Sequence, residues 1–194
     1  MKFYEYKYLV YSDLYRITQD TKKINLMRHI FKGDVFCFVF WMRTCRYTKK
    51  NRGFYIFYLF ARYFYLRLRY KLNISIPFDT EIGSGFFISH FGGIVVNQKS
   101  IIGINCNISQ GVTIGQSNRG KRKGFPVVGD NVYIGPGAKI FGAVTVGNNV
   151  AIGANCVVTK DVPDNAVVVG VPCRIISYEG ASGYIENTDY HSLF

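Results

Sequence analysis

From Val128 to Val158 an aliphatic residue returns at every sixth position, at Val128, Ile134, Ile140, Val146, Ile152 and Val158. This period is neither the 3.6 of an α-helix nor the 2 of an ordinary strand. Four residues after each of these sits a second small or aliphatic side chain, at Val132, Ala138, Val144, Val150, Cys156 and Val162. Glycine directly follows several of the first set, at Gly129, Gly135, Gly147 and Gly153. Two inward side chains and one tight turn make one flat side. Repeated, they wind the chain into a triangular parallel β-helix, each coil burying its aliphatic ladder against the next.

The same spacing runs upstream through Val96, Ile102, Ile108 and Ile114, and earlier at Ile82 and Ile88. It breaks twice. Between Ile88 and Val96 the spacing is eight, so two extra residues bulge out around His90-Phe91-Gly92-Gly93. Between Ile114 and Val128 it is fourteen, which reads as two hexads plus two, and residues 116–126 carry no aliphatic ladder. Loops extruded from a solenoid commonly build its binding surface, so function is expected at these interruptions.

Charge divides the chain into units. Residues 1–75 hold 16 Lys and Arg against 4 Asp and Glu, the whole of the chain's net charge of +12, and residues 76–194 hold 8 against 8. We expect a basic, aromatic-rich helical region over 1–75, a β-helix over 76–176 and a tail over 177–194 that is either flexible or laid over a neighbour's site. Within residues 54–70 aromatics alternate with Arg, and no run reaches the roughly 18 apolar residues of a spanning helix. Two readings of this segment stand side by side. In one the aromatics cover the first coil or a second subunit; in the other they form an interfacial helix on anionic lipid. Nucleic acid would also suit the charge, but no recognition motif accompanies it.

The five cysteines, at 37, 45, 106, 156 and 173, show no metal or redox spacing, and Cys106 and Cys156 fall at inward hexad positions where thiols act as small hydrophobes. The first residues lack the apolar run of a signal peptide, which points to a cytoplasmic setting, peripheral to the membrane if the interfacial reading holds.

Three histidines occur, and His90 alone lies in the solenoid, inside the eight-residue interruption beside Gly92-Gly93. An imidazole titrating near pH 6.5 accepts a proton at neutral pH, and glycines let backbone and substrate approach it closely. That is the description of a general base, although a single histidine on a turn is also compatible with no role. His29 and His191 read as structural or solvent-exposed.

The hexad repeat, the His-bearing turn, the Gly111-Val112-Thr113-Ile114-Gly115 block and the closing Gly170-Val171-Pro172-Cys173-Arg174 together resemble the hexapeptide-repeat acyltransferases. The nearest branch is similar to the serine acetyltransferases, including relatives in surface-polysaccharide gene clusters. The resemblance covers residues 75–176, and more loosely Ser12-Asp13-Leu14-Tyr15-Arg16 and Phe40-Trp41-Met42-Arg43. It implies a left-handed parallel β-helix, acetyl-CoA as co-substrate without a metal, and a homotrimer, or two trimers paired, with active sites between subunits. It assigns His90 as base. It places CoA contacts at Gly115, Gln116, Tyr133, Gly135, Pro136 and Ala154, with Lys160 and Arg174 as cations for its phosphates.

Departures from the serine branch bear on the acceptor. That branch has Asp directly before the catalytic His, where this chain has Ser89, and another Asp fifteen residues before it, where this chain has Ser75. Its Arg-His pair in the long loop corresponds here to Gly124 and Phe125. An amino-acid acceptor needs paired charges, so their joint loss favours a sugar hydroxyl of a surface polysaccharide or its precursor, with Asp13 and Ser89 as acceptor contacts. Free serine is the alternative, and a non-catalytic scaffold a second one. The loop Arg119-Gly120-Lys121-Arg122-Lys123 either closes over the site or stays solvated. Metal-dependent hydration on a related helix would need several histidines across coils, and the solenoid has one.

Overall fold

The structure is a computed structural model that describes residues 1–193. Four helices precede the solenoid: α1 Phe3–Thr18, α2 Lys23–Lys32, α3 Val35–Lys50 and α4 Tyr55–Lys71, the last two joined through a 3₁₀ turn at Arg52–Phe54. Local chemistry sets their ends. Gly33 takes φ 68° just after α2, and Asp34 caps α3 by accepting from the Cys37 N–H at 3.1 Å.

Short strands then stack into three parallel faces, a left-handed β-helix. Face A holds Ile74–Ser75, Ile94–Val96, Thr113–Gly115, Lys139–Phe141 and Val157–Val158. Face B holds Glu81–Ile82, Ile101–Ile102, Val127–Val128 and Thr145–Val146. Face C holds Phe87–Ile88, Asn107–Ile108, Tyr133–Ile134, Ala151–Ile152 and Val167–Val169, and closes with Arg174–Ser177, which pairs antiparallel. The hexad ladder points into the lumen: Ile102, Ile108, Ile114, Val128, Ile134, Ile140, Val146, Ile152 and Val158 are all buried. Removing one such side chain from water stabilises by about 1.5–3 kcal/mol, so the ladder dominates cohesion.

Strand register measures the interruptions directly. Val96 pairs with Ile114 and Ile140 with Val158, eighteen residues on, which is one undisturbed coil. Ile88 pairs with Ile108, twenty on, so the His90 turn adds two residues. Ile114 pairs with Ile140 and Ile102 with Val128, twenty-six on, so the long loop adds eight. The fourteen-residue gap is therefore one hexad with an eight-residue extrusion, not two hexads plus two. The strands before and after it lie on successive faces and leave no room for a second hexad.

The extrusion folds back as a hairpin. Ser117 and Gly124 exchange both backbone hydrogen bonds at 3.0 Å, and Arg122 reaches Asp161 at 2.8 Å along the corner between faces A and B. At the B/C corner Asn105, Asn131, Asn149 and Asn165 repeat at φ of 55°, 54°, 53° and 61°. This left-handed region is open to asparagine at low cost, and the side chains bond coil to coil, Asn105 to Asn131 at 3.0 Å and Asn149 to Asn165 at 2.7 Å.

The helices close the open first coil. Phe38, Tyr65, Ile74, Ile76 and Phe86 belong to the same buried cluster as the ladder, and the Tyr65 hydroxyl donates to Ile76 O at 2.8 Å. A polar joint fixes their position. Arg43 donates to Asp13 at 3.0 Å and to the carbonyls of Ile82 and Gly83 at 2.7 and 2.6 Å. Asp13 accepts in turn from Phe86 N at 2.8 Å, and Arg16 spans Gly85 O, Asn107 Oδ1 and Glu186 O.

The tail packs on its own protomer. It runs back as a strap over face C and the B/C corner. Gly180 N donates to Asn165 O, Asn107 Nδ2 to Tyr184 O, and the Tyr190 hydroxyl to Asn105 Oδ1 at 2.7 Å. It ends against α1, where Tyr8 meets His191 at 2.5 Å.

Candidate functional site

His90 lies just past the face C strand Phe87–Ile88, at the C/A corner, exposed, and its ring makes no hydrogen bond within the protomer among the described residues. The turn that carries it is anchored by backbone, since Gly92 O accepts from Gly111 N at 2.7 Å and Gly92 and Gly93 adopt φ of 108° and 67°. An L side chain would be strained at either glycine, which explains the Gly-Gly after the histidine. The Ser89 hydroxyl lies 3.1 Å from that of Ser109 on the next coil.

The candidate residues divide into two sets. Following the C/A corner down the solenoid from His90, the chain presents Ser109-Gln110-Gly111, then Gly135-Pro136-Gly137, then Gly153-Ala154-Asn155. Arg174 pairs with Val169 directly beyond. At about 4.8 Å per coil, His90 and Ala154 lie some ~14 Å apart along this line. A Cβ added at Gly135 would stand 2.8 Å from Ile152 O and 3.0 Å from Ala154 N of the next coil, so glycine lets the coils stack closely at this corner. Arg174 is exposed and forms no ion pair among the described residues.

The second set borders the opposite edge of face A. Gly115 lies under the Phe141 ring, which an added Cβ would meet at 2.6 Å. Gln116 bonds Asn97 at 3.2 Å and also Asn118, and Lys160 is exposed beside Asp161. The basic hairpin runs along this edge, so within the protomer it does not close over His90.

Two expected contacts are used otherwise. Tyr133 points from face C, and its ring stacks on Tyr184 of the strap at 4.3 Å, turned away from the C/A corner. Asp13 is 1% exposed and saturated by Arg43 and Phe86 N, so it is a structural anion with no face toward an acceptor. Burial pushes its carboxyl up, opposed by the Arg43 guanidinium beside it.

The carboxylates nearest His90 in sequence lie on other elements. Asp79 pairs with Lys49 at 2.7 Å, and Glu81 opens a face B strand. Ser75 accepts from Arg69 at 2.8 Å. Sequence reasoning missed Ser109 and Lys139, whose ammonium donates to Gly111 O beneath the His90 turn. A lysine in register with Thr113 and Val157 was the available signal.

A family model described as bacterial transferase hexapeptide (six repeats) matches residues 125–160. A crystal structure of a serine acetyltransferase from Brucella abortus strain S19 superposes with a TM-score of 0.74 at 30% identity, over 93% of this chain and 72% of that one. The chain belongs to the hexapeptide-repeat acyltransferase family. The same Brucella enzyme in complex with coenzyme A matches with a TM-score of 0.73 at 29% identity, over 90% and 69% of the two chains. A serine acetyltransferase from Bacillus pumilus is 39% identical over 135 residues, 67% of this chain and 62% of its own. The chain spans about half to three fifths of the length of the curated relatives it matches, 46% for the one from Synechococcus elongatus. Within the hexapeptide-repeat family these relatives carry the serine name, so they support the serine branch and not the polysaccharide-cluster relatives that the departures at Ser89, Gly124 and Phe125 had favoured.

Proposed function

We propose that this protein is an acetyl-CoA-dependent O-acetyltransferase with His90 as general base and serine as the acceptor its relatives best support. The observation that carries the reading is the alignment of His90, Gly135, Pro136, Ala154 and Arg174 along one corner, with the base at one end and a cation at the other. His90 takes the proton of the acceptor hydroxyl as that oxygen attacks the thioester carbonyl carbon. It returns the proton to the sulfur as the C–S bond breaks. Positioning of two bound substrates supplies the remaining rate enhancement, because the acetyl group passes directly between them.

A homotrimer completes this reading. The two residue sets border opposite edges of face A and meet only when one protomer's C/A corner faces the next protomer's A/B edge. Val95 and Phe141 on face A and Ile101 and Val127 on face B leave outward apolar surface for such contacts. The setting is cytoplasmic.

A sugar hydroxyl is the second reading, and one observation favours it: Ser89, Gly124 and Phe125 offer no charge to an amino acid, and Ser75 faces Arg69. Thiol release from acetyl-CoA, followed with L-serine and with a panel of sugars and nucleotide sugars offered separately, decides between them. Release with serine alone supports the first reading, and release with a sugar alone the second. His90→Ala should lower the rate by about 10²–10⁴ with CoA binding unchanged; a variant that keeps most of its activity rules out the base.

A further inference from the structure

We propose that α4, together with the outer side of α2, docks the protein on a membrane surface rich in anionic lipid. The helix is apolar on two opposite sides, and only one of them is covered. Tyr58, Ala61, Tyr65 and Leu68 point inward against α3 and the first coil. The opposite stripe, Ile56, Leu59, Phe60, Tyr63, Arg67 and Tyr70, follows the spacing of a single helical face and lies in solvent, with Ile56 84% and Tyr70 78% exposed.

The stripe continues across a groove of about 500 Å³ that Phe60, Phe64, Arg67 and Lys71 share with Ile30 and Phe31 of α2. Phe31 is 79% exposed, and Ile24 and Met27 extend the same bare apolar surface along α2. An apolar side this broad on a soluble helix marks an interaction surface.

Charge selects the occupant. Residues 1–75 carry the protein's entire net charge of +12, and Arg67, Lys71, Lys23, Arg28 and Lys32 lie on the two helices that form the surface. A second copy would bring an equally basic surface against it, which opposes pairing. An anionic bilayer complements it, with aromatic rings at headgroup depth and cations against phosphate. None of the described helices is long and apolar enough to cross a membrane, so the contact is peripheral. The inference does not depend on acetyl transfer.

The test is cosedimentation of the full chain with vesicles of equimolar phosphatidylcholine and phosphatidylglycerol, and with phosphatidylcholine alone. Trp41, the single tryptophan, stacks on Phe64 at 4.9 Å and meets Phe60 edge-on, so its emission reports contact at this surface. We expect binding to the anionic vesicles only, with a Trp41 shift. Arg67→Gln with Lys71→Gln should weaken binding roughly thirtyfold, about fivefold per cation. Ile56→Ser with Tyr63→Ser, which alters exposed side chains only, should weaken it without changing the melting temperature. Equal binding to neutral vesicles, no binding at all, or unchanged binding by both variants overturns the proposal. A fall in the assembly's mass in the serine variant with vesicle binding intact assigns the surface to a second copy and overturns it as well.

Discussion

A buried ion pair helps to hold the helices on the solenoid. Asp13 and Arg43 are 1% and 2% exposed, and Arg43 also holds two carbonyls of the first coil. Removing one partner leaves the other charged and dry. Asp13→Ala is therefore expected to cost about 3–5 kcal/mol, read as a lower denaturant midpoint with an unchanged slope. This result also separates the structural role of Asp13 from the acceptor contact expected on sequence grounds, because a contact that only bound acceptor would alter KM and spare stability. The sequence carried Asp13 and Arg43 in two loosely matching stretches thirty residues apart, and nothing in their spacing brings them together. Only the packing of α1 across α3 does.

At the scale of elements the hexads were the legible part. Every ladder residue read from the six-residue period faces the lumen, and both interruptions fall at corners. The period could not count the long loop, since fourteen divides equally well into one hexad plus eight or two plus two, and strand register alone separates these. The tail was illegible because it has no repeat: its contacts are scattered backbone and side-chain bonds to asparagines of several coils. Tyr190 is one of these, buried, donating to Asn105 and lying 3.2 Å from the Ser84 hydroxyl. Tyr190→Phe leaves Asn105 Oδ1 short of a donor and should cost about 1 kcal/mol, visible as a lower melting temperature. The helical region was half legible. Its aromatic and basic composition was plain, but whether the rings faced inward or outward needed the structure, which divides α4 between both.

For the whole molecule, buried phenols set an alkaline limit. Burial pushes Tyr6 and Tyr190 up to about 12, while an unfolded tyrosine titrates near 10. Between those values the unfolded chain has lost protons that the folded one retains, so rising pH favours unfolding. The stabilisation is fully present below about pH 10 and is lost as pH climbs toward 12. Buried thiols add to this from a lower pH, since Cys45 and Cys106 are pushed up to about 12 and Cys156 to about 11, while an unfolded thiol titrates near 8.5. Denaturant midpoints should therefore begin to fall above about pH 8 and fall steeply beyond about pH 10. Flat midpoints through that window would mean these hydroxyls are hydrated in the folded state.

The strap has a consequence for how the molecule comes apart. A solenoid ordinarily behaves as a row of weakly coupled units, and its last coil frays independently of the first. Here residues 180–191 bind the corner asparagines of several coils and then α1, which is itself locked to the first coil through Arg16 and Asp13. The far end cannot open without loosening the near one. Amide exchange in the strands at Val167–Val169 should therefore be as slow as at Ile94–Val96, and the protein should melt in one step.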